Sequence, residues 1–295
     1  MQKISIIINL GSKQADQDNS ELISVLAKIH DYQVEVLTAH AGSDLHKLTE
    51  EAIANGAKII VAGGGDGTIS TIAQHLAFKD HLTLGILPLG THNNFAKDLG
   101  IPEKIEDAME IITSGIVEKI NLGEVNGHYF VNNSSIGLYP RIVLKREQRE
   151  MAGVKRLFAF SRAVVSTLIN FKKYKIQINS GNIVQERISP MVFVGNGDYN
   201  LNTVGIAKRR KPGQGRLSLI LFKNPSRLGL ISIVLKDFLN LLQDDKNVEQ
   251  YFLDKFQINT PEKQINVACD GEIALLQTPL VYSCHRNAMN ILKSQ

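Results

Sequence analysis

The chain has 295 residues, enough for two domains that each bury a core, and its 43% apolar and 21% charged residues exclude a disordered or fibrous protein. Cys269 and Cys284 are the only cysteines, so neither a disulfide framework nor a Cys-rich zinc site can be built. The net charge is +4 but uneven: ten basic residues and two acidic ones lie between Arg141 and Lys175, a local +8 that leaves −4 for the rest.

The apolar run Ile4–Leu10 is only about a strand long and is followed by no small-residue cleavage pattern, which argues against a signal peptide. No later stretch reaches the roughly 18 uncharged apolar residues of a membrane span. The nearest, Leu228–Leu242, is interrupted by Lys236 and Asp237 and reads as a buried or amphipathic helix. A cytoplasmic protein with reduced thiols is expected.

In chain order, Ile4–Asn9, Gln33–Thr38, Lys58–Ala62 and Leu82–Leu87 read as strands. Glu21–Ile29, Asp44–Ala54 and Thr68–Phe78, between them, carry apolar residues at helical spacing. This alternation predicts a parallel sheet flanked by helices, with the turns after Asn9, Thr38, Ala62 and Leu87 sharing a crevice at the carboxyl ends of the strands. A helix over Glu103–Ser114, closed by Gly115, ends the region. Beyond it the texture changes to short strands: Ile120–Val125, the Asn126-Gly127 turn, Tyr129–Asn133, Lys175–Ile178, Ile183–Ile188, Met191–Gly195, Arg216–Phe222, Gln264–Ala268 and Ile273–Leu276. Asn-Gly between two such runs signals a hairpin. A mainly antiparallel second domain is expected from about residue 120 to 284.

The strand Lys58–Ala62 runs into Gly63-Gly64-Gly65-Asp66-Gly67-Thr68, after which helical spacing begins. Glycines let backbone approach an anion closely, and N–H groups at a helix start point toward it. A carboxylate such as Asp66 in that position makes sense chiefly when a divalent cation accompanies the phosphates. The bland alternative is a plain strand-to-helix turn with Thr68 as the N-cap. No Gly-Lys-Ser/Thr follows, which excludes a P-loop, and Thr68 stands where a dinucleotide fingerprint needs its last glycine.

Twenty residues on comes Leu87-Pro88-Leu89-Gly90-Thr91-His92-Asn93-Asn94-Phe95-Ala96-Lys97-Asp98-Leu99-Gly100-Ile101-Pro102. Together with the glycine loop it resembles the catalytic domain of the diacylglycerol kinase and sphingosine kinase family, particularly the small bacterial lipid kinases of the NAD kinase-like superfamily. The family pattern is Gly-Gly-Asp-Gly-Thr, then Pro-x-Gly-Thr-x-Asn, then Leu-Gly-Ile-Pro. The resemblance implies an α/β fold of two domains. A parallel-sheet nucleotide-binding domain is expected over 1–119, with the tail 285–295 returning to it, and a β-sandwich-like, mainly antiparallel lipid-substrate domain over 120–284. ATP with Mg2+ is expected in the cleft. Asn9, Thr38, Gly64, Gly65, Asp66, Gly67, Thr68, Thr91 and Asn93 match the nucleotide-contacting positions, Asp66 being the metal candidate.

Ala268-Cys269-Asp270-Gly271-Glu272 is, by itself, an ordinary Asp-Gly hairpin turn. The family has Asp-Gly-Glu here, which implies Asp270 as general base and Glu272 as its support or a metal partner. Some positions depart from the family. Thr71 stands where a Glu commonly follows the phosphate loop, and Leu10 replaces a Pro. Gln214 and Ser218 stand where bacterial relatives carry carboxylates around a structural magnesium, so that accessory metal is not expected.

From Gly153 to Lys175, apolar residues such as Leu157, Phe158, Phe160, Leu168 and Phe171 alternate with Lys155, Arg156, Arg162, Lys172 and Lys173. Such a segment suits peripheral contact with anionic lipid on the inner membrane face; a solvated helix packed on the second domain is the alternative. Lys208-Arg209-Arg210-Lys211 adds to the same surface or forms a charged loop. No aromatic platform accompanies these charges, so nucleic acid is not expected as a partner. No motif fixes the oligomeric state, a homodimer being one option. The resulting expectation is an ATP-dependent kinase acting on a diacylglycerol-like lipid hydroxyl. The alternatives are an NAD kinase-like enzyme and a non-catalytic nucleotide- or lipid-binding homologue.

Overall fold

Four isoleucines, Ile4, Ile6, Ile7 and Ile8, are buried in succession along β1 (Gln2–Asn9). Consecutive burial, in place of alternation, means that both faces of the strand are covered, as in a parallel sheet under helices. The computed structural model describes residues 2–11, 32–91, 93–137, 172–181, 183–200, 208–211, 215–223 and 248–294. The chain divides into two units, Met1–Leu122 with His285–Gln295, and Gly123–Cys284.

In the first unit β1 lies between β2 (Tyr32–Ala39) and β3 (Ile59–Gly64), followed by β4 (Thr83–Pro88) and the end of β18 (Leu280–Lys293). All four pairings are parallel. The chain leaves β1 to one side and returns to the other, so the order reverses between β1 and β3, where ligands bind in open α/β sheets. Register puts Asn9 beside Ala39, Ile8 beside Gly63, and Gly64 beside Pro88. The carboxyl ends of the four strands are therefore level.

Helices α1 (Gly42–Ala54) and α2 (Asp66–Leu76) pack together. Ile69, Ile72, Ala73 and Leu76 form the buried stripe of α2. His46 Nδ1 and His75 Nε2, 2.9 Å apart, join the two helices on their outer side. Burial, and then the neighbouring His46, hold the His75 imidazole below its usual range, with Glu50 opposing. The short α3 (Asn94–Asp98) was not anticipated, and α4 (Ile105–Ser114) begins after Lys104, two residues later than its apolar spacing suggested. The helix expected over Glu21–Ile29 lies outside the described residues, as do Leu228–Leu242 and most of the basic segment 141–175.

The second unit is a sandwich. One sheet runs β14 (Val248–Leu253), β13 (Leu217–Phe222), β10 (Met191–Asn196), β7 (Asn133–Gly137), β16 (Gln264–Cys269), β17 (Glu272–Gln277). The other includes β15 (Lys255–Asn259), β8 (Tyr174–Ser180) and β9 (Ile183–Ser189) beside the start of β18. Ile136, Val194, Leu219 and Val267 of the first sheet share a core with Ile176, Ile178, Phe256 and Tyr282 of the second. Turns at Asn126-Gly127 (φ 47° and 85°) and Asp270-Gly271 (φ 49° and 97°) have the left-handed pairs that two-residue hairpins require. Lys208–Lys211 is not a loop but a strand, β12, paired with β11 (Asp198–Asn200).

Several expected strands change their bounds. β5 (Ile116–Val125) starts at Ile116, and β14, β15 and the fourteen-residue β18 were not anticipated, because their polar residues break the apolar pattern. The strand expected over Tyr129–Asn133 is instead β6 (His128–Phe130) and β7, broken at Val131-Asn132. There the backbone N–H groups turn toward Asp270 and leave the ladder.

Two outcomes follow from the first unit. Ile72, fully buried in α2, should cost about 2–5 kcal/mol on truncation to Ala, read as a lower urea midpoint at unchanged slope. His75 is held neutral in the fold, so the unfolded chain takes up its proton first as pH falls below about 6.5. Stability should therefore drop below that pH, and His75→Gln should flatten the drop in thermal melts taken across that range.

Candidate active site

The residues singled out from the sequence fall into two clusters, one in each unit. In the first, β3 ends in Gly63 and Gly64, and α2 begins at Asp66 with Gly65 as its N-cap. Thr68 is therefore not the cap. It sits buried in the first turn, where its Oγ1 accepts a hydrogen bond from Asn9 Nδ2 (3.0 Å). Asn9 Oδ1 in turn accepts from the Gly11 N–H at 3.0 Å. A Cβ on Gly64 would run into the Thr68 side chain, and one on Gly90 would run into the Gly65 backbone. Only glycines allow the loop after β3 and the loop after β4 to lie backbone against backbone.

Polar bonds lock this contact. Leu89 N–H donates to the Gly64 carbonyl at 3.1 Å. Asp66 Oδ1 accepts from Phe95 N–H (2.9 Å), and Oδ2 accepts from Asn94 N–H and Asn94 Nδ2 (3.1 and 3.2 Å). The carboxylate thus caps α3, the first helix of the second motif. Asn93, 2% exposed and left-handed at φ 49°, folds the loop itself. Its Nδ2 donates to the Pro88 and Gly90 carbonyls and its Oδ1 accepts from the Gly90 N–H. The amide expected to face a ribose or base is committed to its own loop. Gly67, Thr38 and Thr91 are exposed at the same strand ends, with Gly65 and Asp66 half-buried. Thr71, in place of a family Glu, is buried and donates back to the Gly67 carbonyl at 2.9 Å.

The N-terminus of α2 faces this edge with the positive end of its dipole, an arrangement suited to an anion. Among the described residues no group of three His, Cys, Asp or Glu side chains forms a metal cage. Asp66 keeps lone pairs beyond its three hydrogen bonds. It fits a magnesium ion that takes one protein carboxylate and completes its shell with phosphate and water.

In the second unit Asp270 opens the turn between β16 and β17. Its Oδ2 accepts from Val131 N–H at 2.7 Å, and its Oδ1 from Asn132 and Asn133 N–H at 2.8 and 2.9 Å. Its own N–H donates to the Asn133 carbonyl at 2.8 Å. Three amide donors hold the side chain as an oriented carboxylate. Glu272 is exposed at the start of β17. Burial pushes the neighbouring Cys269 thiol up to about 12, which removes it as a nucleophile. The cradle Val131–Asn133 was not anticipated; the paired asparagines after Phe130 were its only trace in the sequence.

Residues 3–125 match the model of the diacylglycerol kinase catalytic domain. They belong to that domain family. Relatives with this likeness include a "Probable lipid kinase YegS-like" of Pseudomonas aeruginosa, 28% identical over 74% of this chain and 68% of its own length. A diacylglycerol kinase of Bacillus subtilis is 28% identical over 80% of this chain and 77% of its own. Among solved structures, a diacylglycerol kinase of Bacillus anthracis superposes with a TM-score of 0.70 at 22% identity, over 99% of this chain and 97% of that one. Yeast NADH kinase shares the fold more distantly, with a TM-score of 0.53 at 11% identity over 100% of this chain and 84% of its own.

The Asn93 amide leaves a direct expectation. Asn93→Ala strands the Gly90 N–H and two carbonyls, a loss of about 1–3 kcal/mol by the usual cost of unpaired buried groups. The same variant should weaken nucleotide binding in a calorimetric titration by about tenfold, through the loop's shape and not through a lost contact.

Proposed function

We propose that this chain is an ATP-dependent kinase that transfers the γ-phosphoryl group to the hydroxyl of a diacylglycerol-like lipid. The observation that carries the reading is the clasp between the two loops, Gly64–Thr68 and Pro88–Asn93, at the switch point of a diacylglycerol kinase catalytic domain. Backbone N–H groups of Gly65, Gly67 and Thr68 at the start of α2 take the phosphates. Asn9 orients Thr68, and Thr38 and Thr91 lie exposed at the same edge for ribose or base. Asp66 holds α3 in place and offers one ligand to a magnesium ion, which when bound neutralises charge on the phosphates.

Asp270 is the group proposed to receive the acceptor's proton. In phosphoryl transfer the leaving proton needs an oriented carboxylate within hydrogen-bond reach more than a strong base. The three amide bonds on Asp270 supply that orientation. Glu272 is exposed two residues on and supports it electrostatically. The basic, apolar stretch of 141–175 favours a lipid acceptor, since anionic lipid attracts such cations at about 1 kcal/mol each. Among the described residues no helix is long and apolar enough to cross a membrane.

The likeness to yeast NADH kinase is one of fold and leaves a dinucleotide acceptor as the second reading. Supplying labelled ATP with magnesium to the purified protein, together with NAD or with mixed lipid vesicles, separates them. Label in extracted lipid alone supports the proposal, and label in NAD alone overturns it. Asp270→Asn should lower lipid turnover about 10²-fold or more, in the range of general-base effects, while ATP affinity stays within about twofold. Unchanged turnover in that variant would remove Asp270 from the reaction.

A further inference from the structure

The cradle of Asp270 rests on a second layer of hydrogen bonds. Tyr199 is 7% exposed and commits every polar atom it has. Its hydroxyl donates to the Asn132 carbonyl (2.7 Å), its N–H to Ser218 Oγ (3.2 Å), and its carbonyl accepts from Gln250 Nε2 (2.9 Å). The ring packs edge-on against Phe193 at 5.3 Å, across Gly195, where any Cβ would strike it. Asn196 joins in: its N–H donates to the Asn132 carbonyl at 2.8 Å and its Nδ2 to the Val131 carbonyl at 3.0 Å. The carbonyls of the very residues whose N–H groups hold Asp270 are thus pinned from the other side.

Ser218 closes the network. It is fully buried, accepts from Tyr199 N–H and donates to the Gly197 carbonyl at 2.7 Å. Beside it Arg216 makes a bidentate pair with Asp198, at 2.9 and 3.0 Å, and lies over the Phe252 ring at 4.5 Å. The family resemblance implies a structural magnesium at this place, held by carboxylates at 214 and 218. Gln214 lies outside the described residues, and Ser218 with its described neighbours does not fit one. Ser218 spends its hydroxyl on two backbone groups, the nearby carboxylate of Asp198 is neutralised, and a guanidinium stands where a second cation would be repelled.

We infer that Tyr199 is a positioning residue for Asp270, and that Ser218 with the Asp198–Arg216 pair anchors Tyr199 without a metal ion. The polar chain runs from Arg216 and Asp198 through Gly197, Ser218 and Tyr199 to the Asn132 peptide and so to the Asp270 carboxylate. Removing one hydroxyl at its centre loosens the Val131–Asn133 turn and lets the carboxylate drift. The inference deepens the kinase reading and rests on it only in its kinetic part.

Tyr199→Phe tests it, since the ring and its packing on Phe193 are kept. Amide hydrogen exchange at Val131–Asn133 should quicken about tenfold, the usual yield of a lost hydrogen bond near 1.4 kcal/mol. Lipid turnover should fall about tenfold at unchanged KM for ATP, as expected for a misplaced reacting group. Ser218→Ala should move both readouts the same way. Unchanged exchange in Tyr199→Phe overturns the inference whatever the activity of the enzyme. Quickened exchange with unchanged turnover, in an enzyme that phosphorylates lipid, overturns the positioning role. The metal-free claim stands if magnesium without nucleotide leaves the melting midpoint of the whole chain unmoved. It falls if magnesium raises that midpoint saturably and Ser218→Ala abolishes the rise. A protein that phosphorylates no lipid but still shows the exchange change refutes the kinase reading and leaves the network intact.

Discussion

Backbone N–H groups that leave a helix or strand ladder must find another acceptor, and in this chain two aspartates meet that demand at the places where chemistry is expected. Asp66 takes the first amides of α3, and Asp270 takes the three amides at the break between β6 and β7. An unpaired buried amide costs as much as a lost hydrogen bond or more, so the irregular backbone at both sites depends on these carboxylates. The side chains also lose their freedom: each is aimed by two or three donors before any ligand arrives. A site assembled this way gives up little order on binding, which is the condition for catalysis by positioning.

The clasp between the loops after β3 and β4 shows how much of this hangs on small residues. Gly65 and Gly90 touch through backbone, Gly64 leaves space for Thr68, and Gly195 leaves space for the Tyr199 ring. Gly64 and Gly195 are each paired with a larger neighbour that fills the space they leave. Side chains at Gly64, Gly90 or Gly195 would separate elements whose alignment the polar bonds need.

The α/β character of the first hundred residues was legible because short apolar runs alternate with stretches of helical spacing, and the antiparallel strands beyond them because a hairpin carries Asn-Gly. β14, β15 and β18 were not, since sequences such as Ser283-Cys284-His285-Arg286-Asn287 within β18 hide a strand that is half exposed. At the candidate site the motifs marked two loops that the structure brings into contact, but the roles of single residues were beyond them. Asn93 reads as a ligand-facing amide and proves to be the loop's internal brace, while Asp66 reads as a metal group and is first a helix cap. Pattern records which residues a loop carries. Whether a side chain faces a ligand or its own backbone depends on left-handed turns such as Asn93 and on partners 28 to 139 positions away.

The departures from the family pattern acquire a physical meaning once their surroundings are known. Thr71 returns its hydroxyl to Gly67 and keeps the first turn of α2 closed, so no charge is left wanting there. Ser218 is a stronger case. A carboxylate buried at that depth would need a cation to offset its desolvation, whereas a hydroxyl can satisfy one donor and one acceptor of the backbone by itself. Arg216 and Asp198 complete the exchange by pairing with each other. A serine at this position therefore needs no cation beside it. The backbone here is held by hydroxyl, amide and ion-pair bonds, and the Asp270 cradle that those bonds support carries all three of its amide donors.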